Sequence, residues 1–526
     1  MIIEKSAVSA RWAGTSGTGA VSGWERPAPP RGESTVSKQG NCRSRRGLRA
    51  VALVLSVALV SLGIFTGCKD KNHGLKKDSP VSISIWHYYN GAQKQMFDEM
   101  VTEFNESVGA EKGIVVQAYS QGSVNDLTAK VMDAIDKKVG AEEVPDVFAA
   151  YADTAYEINR RGMAADLSQY LTEEERDSYV SAYLDEGAFS EEGSVKLFPT
   201  AKSTEVLTLN KTDWDKFAAA TGASEEDLVT WEGICKLAKS YYEWTDGLTP
   251  EKNDGKAFFG RDVMANYFII GSMQLGQELF SVENGQVTYN LDKAVMRRLW
   301  DNYYTPYVSG YFASIGRFRS DDAKTGDIIA LVGSTSGNTY FPTAVTLSDG
   351  SSYPIDAKTY ALPNFEGTKP YAVQQGAGMM VTKSDETREY AATLFLKWFT
   401  EKQQNVRFAI GSGYLPVKKD ANTAEAIGEA VASSPEPISE LMEETLLTGV
   451  EITQNYTLYT NEAFENGTEA RAVVEKSLQQ KAVADREAVK ALLDGGSTLA
   501  DAVAQYDTDE NFESWYQDFS AQLAAL

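Results

Sequence analysis

Between Val81 and Ala150 the chain repeatedly exchanges one hydrophobic period for the other, and this limits its folds more than any other feature. Val81, Ile83 and Ile85 alternate with Ser82 and Ser84, as in a half-buried strand. Met96, Phe97, Met100, Val101 and Phe104 then recur at helical spacing, which predicts an amphipathic helix over 93–106. A second strand is expected over 113–118, and a second helix over 124–138 with Leu127, Val131, Ala134 and Ile135 on one face. A third strand follows over 145–150. Strand, helix, strand, helix, strand implies a parallel sheet with right-handed crossovers. Ligands of such sheets gather beyond the carboxyl ends of the strands, where Trp86–Gly91 and Tyr151–Tyr156 lie.

The rest of the chain continues the alternation. Strands are predicted over 196–200, 205–209, 327–332 and 378–382. Thr230 is placed to cap a helix, and Ser384 caps another with Asp385 and Glu386 in its first turn. Ala391, Leu394, Phe395 and Trp398 form the expected buried face of that second helix, and Trp231 and Trp398 are assigned to the core. Beyond Pro437 the pattern is mostly helical, broken at Asn466-Gly467 and Gly495-Gly496. A length of 526 residues suits two to four domains.

Charge divides the chain at a single place. The whole carries −24 and residues 1–67 carry +6, so the remainder carries −30. That acidity excludes a basic nucleic-acid footprint. Three cysteines (Cys42, Cys68, Cys235) allow neither a disulfide framework nor a four-cysteine zinc site. Two histidines, His73 and His87, remove most histidine-based catalysis and zinc chemistry, so neither cofactor nor metal is expected.

The dividing segment is basic and then apolar. Arg43, Arg45, Arg46 and Arg49 precede an uncharged run of 17 residues from Ala50 to Thr66. This pattern is that of a secretory signal peptide, with a retained membrane anchor as the structural alternative. Phe65-Thr66-Gly67-Cys68 resembles the bacterial lipobox, although Phe65 stands where Leu is usual. The resemblance implies acylation of Cys68 and stable membrane attachment. The polar stretch to Pro80 then forms a flexible tether, and the first 40 residues read as disordered or as an upstream extension.

Taken in order, several motifs resemble the family 1 extracellular solute-binding proteins, the maltose-type receptors of ABC importers. They are Ile83-Ser-Ile-Trp86, Pro145-Asp-Val-Phe148, Phe198-Pro-Thr-Ala-Lys-Ser-Thr-Glu-Val206, Leu209-Asn-Lys211 and Thr230-Trp-Glu232. Thr325-Gly-Asp-Ile-Ile-Ala330, Ala361-Leu-Pro363, Gly376-Ala-Gly378 and Gly413-Tyr-Leu-Pro-Val417 complete the set. The resemblance implies an α/β, two-lobed periplasmic-binding-protein-like fold of type II, with extra C-terminal helices. Residues 1–67 would be signal peptide and extension, and 68–79 the tether. The N-lobe would comprise 80–203 and 363–412, and the C-lobe 204–362 and 413–526. Crossings between lobes are expected near Thr200–Glu205, Tyr360–Pro363 and Ser412–Pro416.

The implied function is capture of a small solute, a sugar, by hinge closure and its delivery to the transmembrane subunits of an ABC permease. The protein would act as a lipid-anchored monomer on the outer face of a bacterial cell membrane. The candidate ligand-binding set is His87, Tyr88, Tyr89, Asp153, Lys202, Glu205, Ser334, Gln375 and Tyr414. Tyr88 and Tyr89 would stack on sugar faces beside His87, with a packed loop as the alternative. Asp153 would bind hydroxyls or cap a helix. Glu205 would face the cleft or pair with Lys202. Ser334, Thr335 and Ser336 stand where maltose-type relatives carry a stacking Trp, which argues against a linear glucan. Gln375 would bond the solute, and Tyr414 would either do so or pack the hinge. The rivals are an extracellular glycoside hydrolase with paired carboxylates and a carbohydrate-binding surface protein without transport.

Overall fold

The structure, a computed structural model, describes residues 72–189, 191–283 and 285–526. The apolar run and Cys68 lie outside these residues. Eight strands build the two main sheets: β1 (Val81–His87), β2 (Ile114–Ser120), β3 (Val147–Ala150), β4 (Glu205–Asn210), β5 (Phe259–Arg261), β6 (Ala330–Ser334), β7 (Ala357–Ala361) and β8 (Gly378–Val381).

The first sheet has the order β8-β3-β1-β2. β1 runs parallel to β2, with Val81 opposite Ile114, and parallel to β3, with Ile85 opposite Val147. β8 closes the edge antiparallel to β3. The two connections are helices α1 (Gly91–Phe104) and α2 (Val124–Ile135), as the periodicity predicts. α1 continues through a π-helical turn at Asn105–Gly109, and this turn lets the Asn105 amide bond both backbone groups of Val116 at 2.8 Å. Ser123 and Asp126 form a reciprocal capping box that starts α2.

The core of this lobe joins Ile83, Ile85, Phe97, Val131, Val147, Met379 and Phe395. Each such side chain contributes about 1.5–3 kcal/mol by leaving water. Residues 196–200 form no strand, because only Phe198 bridges to β8, at Met379. The helix after β8 is capped by Asp385, whose carboxylate accepts from the Thr387 and Arg388 amides, rather than by Ser384. Its buried face is Ala391, Ala392, Phe395, Leu396 and Phe399, while Leu394 and Trp398 are half-buried.

The second sheet has the order β7-β4-β6-β5, with β4 antiparallel to both neighbours and β5 parallel to β6. Thr230 caps Trp231–Asp246 by accepting from the Gly233 amide, and Trp231 is buried beneath the sheet. The C-terminal helices Gly467–Asp494 and Asp509–Ala524 add Val474, Leu478, Trp515 and Phe519 to this second core. A separate core cluster forms around Val406, Ile410, Leu415 and Leu446. Among the described residues no helix is long and apolar enough to cross a membrane.

Three passages between the sheets run side by side. Lys202 exchanges backbone hydrogen bonds with Leu415, and Ser203 with Gln375. The middle passage lies at 373–378, later than the expected Tyr360–Pro363, because Tyr360 pairs with Leu207 inside the second sheet. Tyr371–Val373 is still tied to Thr457–Tyr459 before the chain turns toward β8.

Candidate functional site

β1 delivers the aromatic loop that the sequence singles out, but its three residues face different ways. His87 is fully buried, ringed by Tyr89 and Phe97. Its Nδ1 accepts the Tyr89 amide at 3.2 Å, and burial pushes its pKa down to about 4. Tyr89 packs against Phe97, Phe408 and Tyr414, and burial raises its hydroxyl far above the ordinary range. Neither side chain can reach a solute. Tyr88 is half-buried, with its hydroxyl 3.1 Å from that of Tyr414 and accepting from the Ala377 amide.

Tyr151 completes an aromatic corner that the candidate set missed. It keeps 46% of its surface open to solvent, yet burial raises its hydroxyl pKa and the Glu186 charge adds to the rise. The ring is thus reached by water on one side and crowded by protein on the other. Tyr88 and Tyr414 both feel its hydroxyl, after the larger effect of their own burial, so the three rings share one corner. The signal for Tyr151 was its place immediately after β3, where ligands of parallel sheets gather.

The crossing passages floor this corner. Lys202 is fully buried and paired with Glu186, a partner the sequence reading did not name, and it also donates to the Gly376 carbonyl at 3.1 Å. Gln375 bonds Ser203 through its backbone and keeps a half-buried side chain. Gly376 adopts φ +94°, and a Cβ there would stand 2.7 Å from the Ala201 carbonyl oxygen, so the passage requires glycine.

On the second sheet Ser334 sits opposite Glu205. Its hydroxyl accepts the Gly337 amide at 3.0 Å and lies 3.2 Å from that of Ser336. After the larger effect of burial, Ser336 also acts on the Tyr414 hydroxyl, which places this loop beside the aromatic corner. Glu205 does not pair with Lys202. Both of its oxygens accept from Arg261, at 3.0 and 2.9 Å, and the Asn266 amide adds a third bond at 3.0 Å. Glu205 and Arg261 are each 1% exposed, and the guanidinium lies over the rings of Trp231 and Tyr267. Both Glu205 oxygens are thus committed within the protein, and the carboxylate reaches a ligand only if that pair is first broken.

Asp153 lies inside the first turn of the helix Ala152–Arg160, so it is not the residue before it. It accepts from Arg471 at 2.9 Å and from Asn461 at 3.1 Å. Of the nine candidates, the structure gathers Tyr88, Gln375 and Ser334 around the corner. It encloses His87, Tyr89 and Tyr414, the last packed on Tyr89 and Phe408, and it commits Lys202, Glu205 and Asp153 to internal partners. Among the described residues no group of three or more His, Cys, Asp or Glu side chains is arranged to hold a metal ion.

Two α/β lobes on separate cores, joined by three adjacent passages beside an aromatic corner, define a bilobal fold of the periplasmic-binding-protein type. The chain belongs to the bacterial extracellular solute-binding proteins, whose family model matches residues 99–436. Its role is therefore solute binding outside the cytoplasmic membrane. No curated protein matches the sequence significantly. Among solved structures it resembles the cyclic alpha-maltosyl-1,6-maltose binding protein of Arthrobacter globiformis, with TM-score 0.60, 19% identity, 85% of this chain and 100% of that one. An ABC substrate-binding protein of Listeria monocytogenes in complex with cycloalternan gives 0.57, 17%, 85% and 100%. UgpB of Mycobacterium tuberculosis in complex with glycerophosphocholine gives 0.58, 16%, 84% and 99%. At these identities the likeness is one of fold.

Proposed function

We propose that the chain captures a carbohydrate between its lobes and passes it to an ABC permease. The observation that carries this reading is the corner of Tyr88, Tyr151 and Tyr414. Tyr88 and Tyr151 supply ring faces for sugar C–H groups and hydroxyls for hydrogen bonds, with the buried Tyr414 packed behind them, and this is the mixture of apolar wall and placed polar groups that such a site needs. Ligands named for two of the structural neighbours, cyclic alpha-maltosyl-1,6-maltose and cycloalternan, are carbohydrates. The internal pairing of Lys202, Arg261 and Arg471 supports a neutral ligand, because each of these cations already has a carboxylate.

The test is a thermal-shift screen of mono-, di- and oligosaccharides, with the zwitterionic glycerophosphocholine as the comparator. A saccharide at a hundred times its Kd stabilises the folded state by about 2.7 kcal/mol and raises Tm. No shift from any saccharide, or turnover of one, refutes the reading.

Capture would proceed by closure of the lobes about the three passages, with the solute favouring the closed form. The N-lobe would take the residues up to about 203 together with 374–412, and the C-lobe the remainder. Acylation at Cys68 would hold a monomeric receptor at the membrane, and Cys68→Ala would move it from the membrane fraction into the medium.

A further inference from the structure

The helix Ala152–Arg160 belongs to the first core through Ala152, Ala155 and Ile158. The helix Gly467–Asp494 belongs to the second core through Ala470, Val474, Leu478 and Ala482. The two elements nevertheless meet at Asp153 and Arg471, whose side chains are 9% and 22% exposed. Arg471 also bonds Tyr459 and Asn461 and lies over the Phe280 ring, so it is held in place before it reaches Asp153. The backbone at Gly467 comes close enough that a Cβ would stand 2.8 Å from the Asp153 carboxylate.

One face of the first helix makes further contacts across the gap. The Tyr156 hydroxyl approaches Gly285, and Arg160 pairs with Glu465 at 3.3 Å. Positions 153, 156 and 160 share that face by helical spacing. Glu465 and Arg471 both lie beyond the family-matched span of 99–436.

We infer that the C-terminal helix Gly467–Asp494 supplies an interlobe latch, in which Arg471 holds Asp153 and so biases the empty protein toward a closed arrangement, the one in which these two helices meet. Asp153 is thus a positioning residue, acting on the lobes rather than on the solute. Removing its charge leaves Arg471 without its carboxylate, and the penalty falls on the closed state alone. The latch presupposes that the lobes move as the proposed capture requires, but it does not depend on what the solute is.

The test therefore uses no solute. Spin labels at Val139→Cys and Leu248→Cys, both exposed and on different lobes, report the interlobe distance by double electron–electron resonance. Asp153→Asn and Arg471→Gln are expected to raise the open-to-closed ratio about tenfold each, and the double variant no further than either single, since contacting residues couple. Circular dichroism confirms that each variant is folded, and Asp153→Asn, nearly isosteric, serves if Arg471→Gln is not. Unchanged distances in a folded single variant overturn the latch, as does an additive double variant. A carbohydrate screen without hits would leave these distances untouched, so the two failures are distinguishable.

Discussion

Acidification should destabilise the first lobe through His87. Its imidazole is fully buried between Tyr89 and Phe97, and its pKa falls from 6.5 to about 4 because burial penalises the charged form. At about 1.4 kcal/mol per tenfold, that gap amounts to about 3 kcal/mol. The folded pKa is the depressed one, so between about pH 6.5 and 4 the unfolded chain takes up a proton that the folded chain refuses. Stability from this group is complete above pH 6.5 and is lost progressively down to about pH 4. Burial also raises Asp262 and Glu475, which act in the opposite sense by binding protons in the folded state. The His87 contribution is therefore the difference between wild type and His87→Gln. Urea unfolding at pH 7 and pH 4 should show wild type losing about 3 kcal/mol more than the variant over that interval. The chain has two histidines, so NMR can follow both imidazoles, with His73→Gln assigning them. Titration of His87 near pH 6.5, or equal losses in the two proteins, would refute the buried placement.

Other substitutions separate structure from binding. Glu205→Ala leaves the buried Arg261 unpaired and should cost about 3–5 kcal/mol, visible as a lowered Tm, while adding Arg261→Met should restore much of it. Gly376→Ala combines an unfavourable φ with a backbone clash at Ala201 and should cost on the order of 1–3 kcal/mol by the same measurement. Tyr151→Ala should change the unfolding free energy by no more than about 0.5 kcal/mol, since nearly half of the residue is open to solvent. It should weaken the best saccharide about tenfold in calorimetry, as befits one lost aromatic contact.

The first lobe was legible because its signals are local. The alternation at Val81–Ile85, the helical stripe from Met96 to Phe104 and the run at 145–150 each declare an element without reference to distant residues. Where partners decide, reading falters. Leu197 and Phe198 are as apolar as a strand requires, but the segment has only a single bridging partner in β8. At 384–386 either Ser384 or Asp385 can cap by chemistry, and the carboxylate takes two amides. The middle crossing was misplaced because Tyr360 sits in a segment that suits a strand equally well in either setting. Its place was settled by pairing with β4, about 150 residues earlier in the chain.

The site shows the same division in its charges. A buried carboxylate or ammonium must find an opposite charge, and the sequence marks Asp153, Lys202 and Glu205 as groups with that need. It does not say which partner will serve. Asp153 finds Arg471 318 residues away, Glu205 finds Arg261 56 residues away, and Lys202 finds Glu186 16 residues away. One of these outcomes was nonetheless accessible. Lys202 and Glu205 are three apart in an extended segment, where successive side chains alternate between faces, so the two point to opposite sides. A pair between them was excluded by that period alone. Glu205 had then to look along its own face of the second sheet. There Ser334, its neighbour on β6, shares a face with Val332, and Val332 is the register partner of Arg261. The guanidinium reaches Glu205 diagonally over β6, two strands away. The alternation that made β1 readable thus also limits which charges can meet.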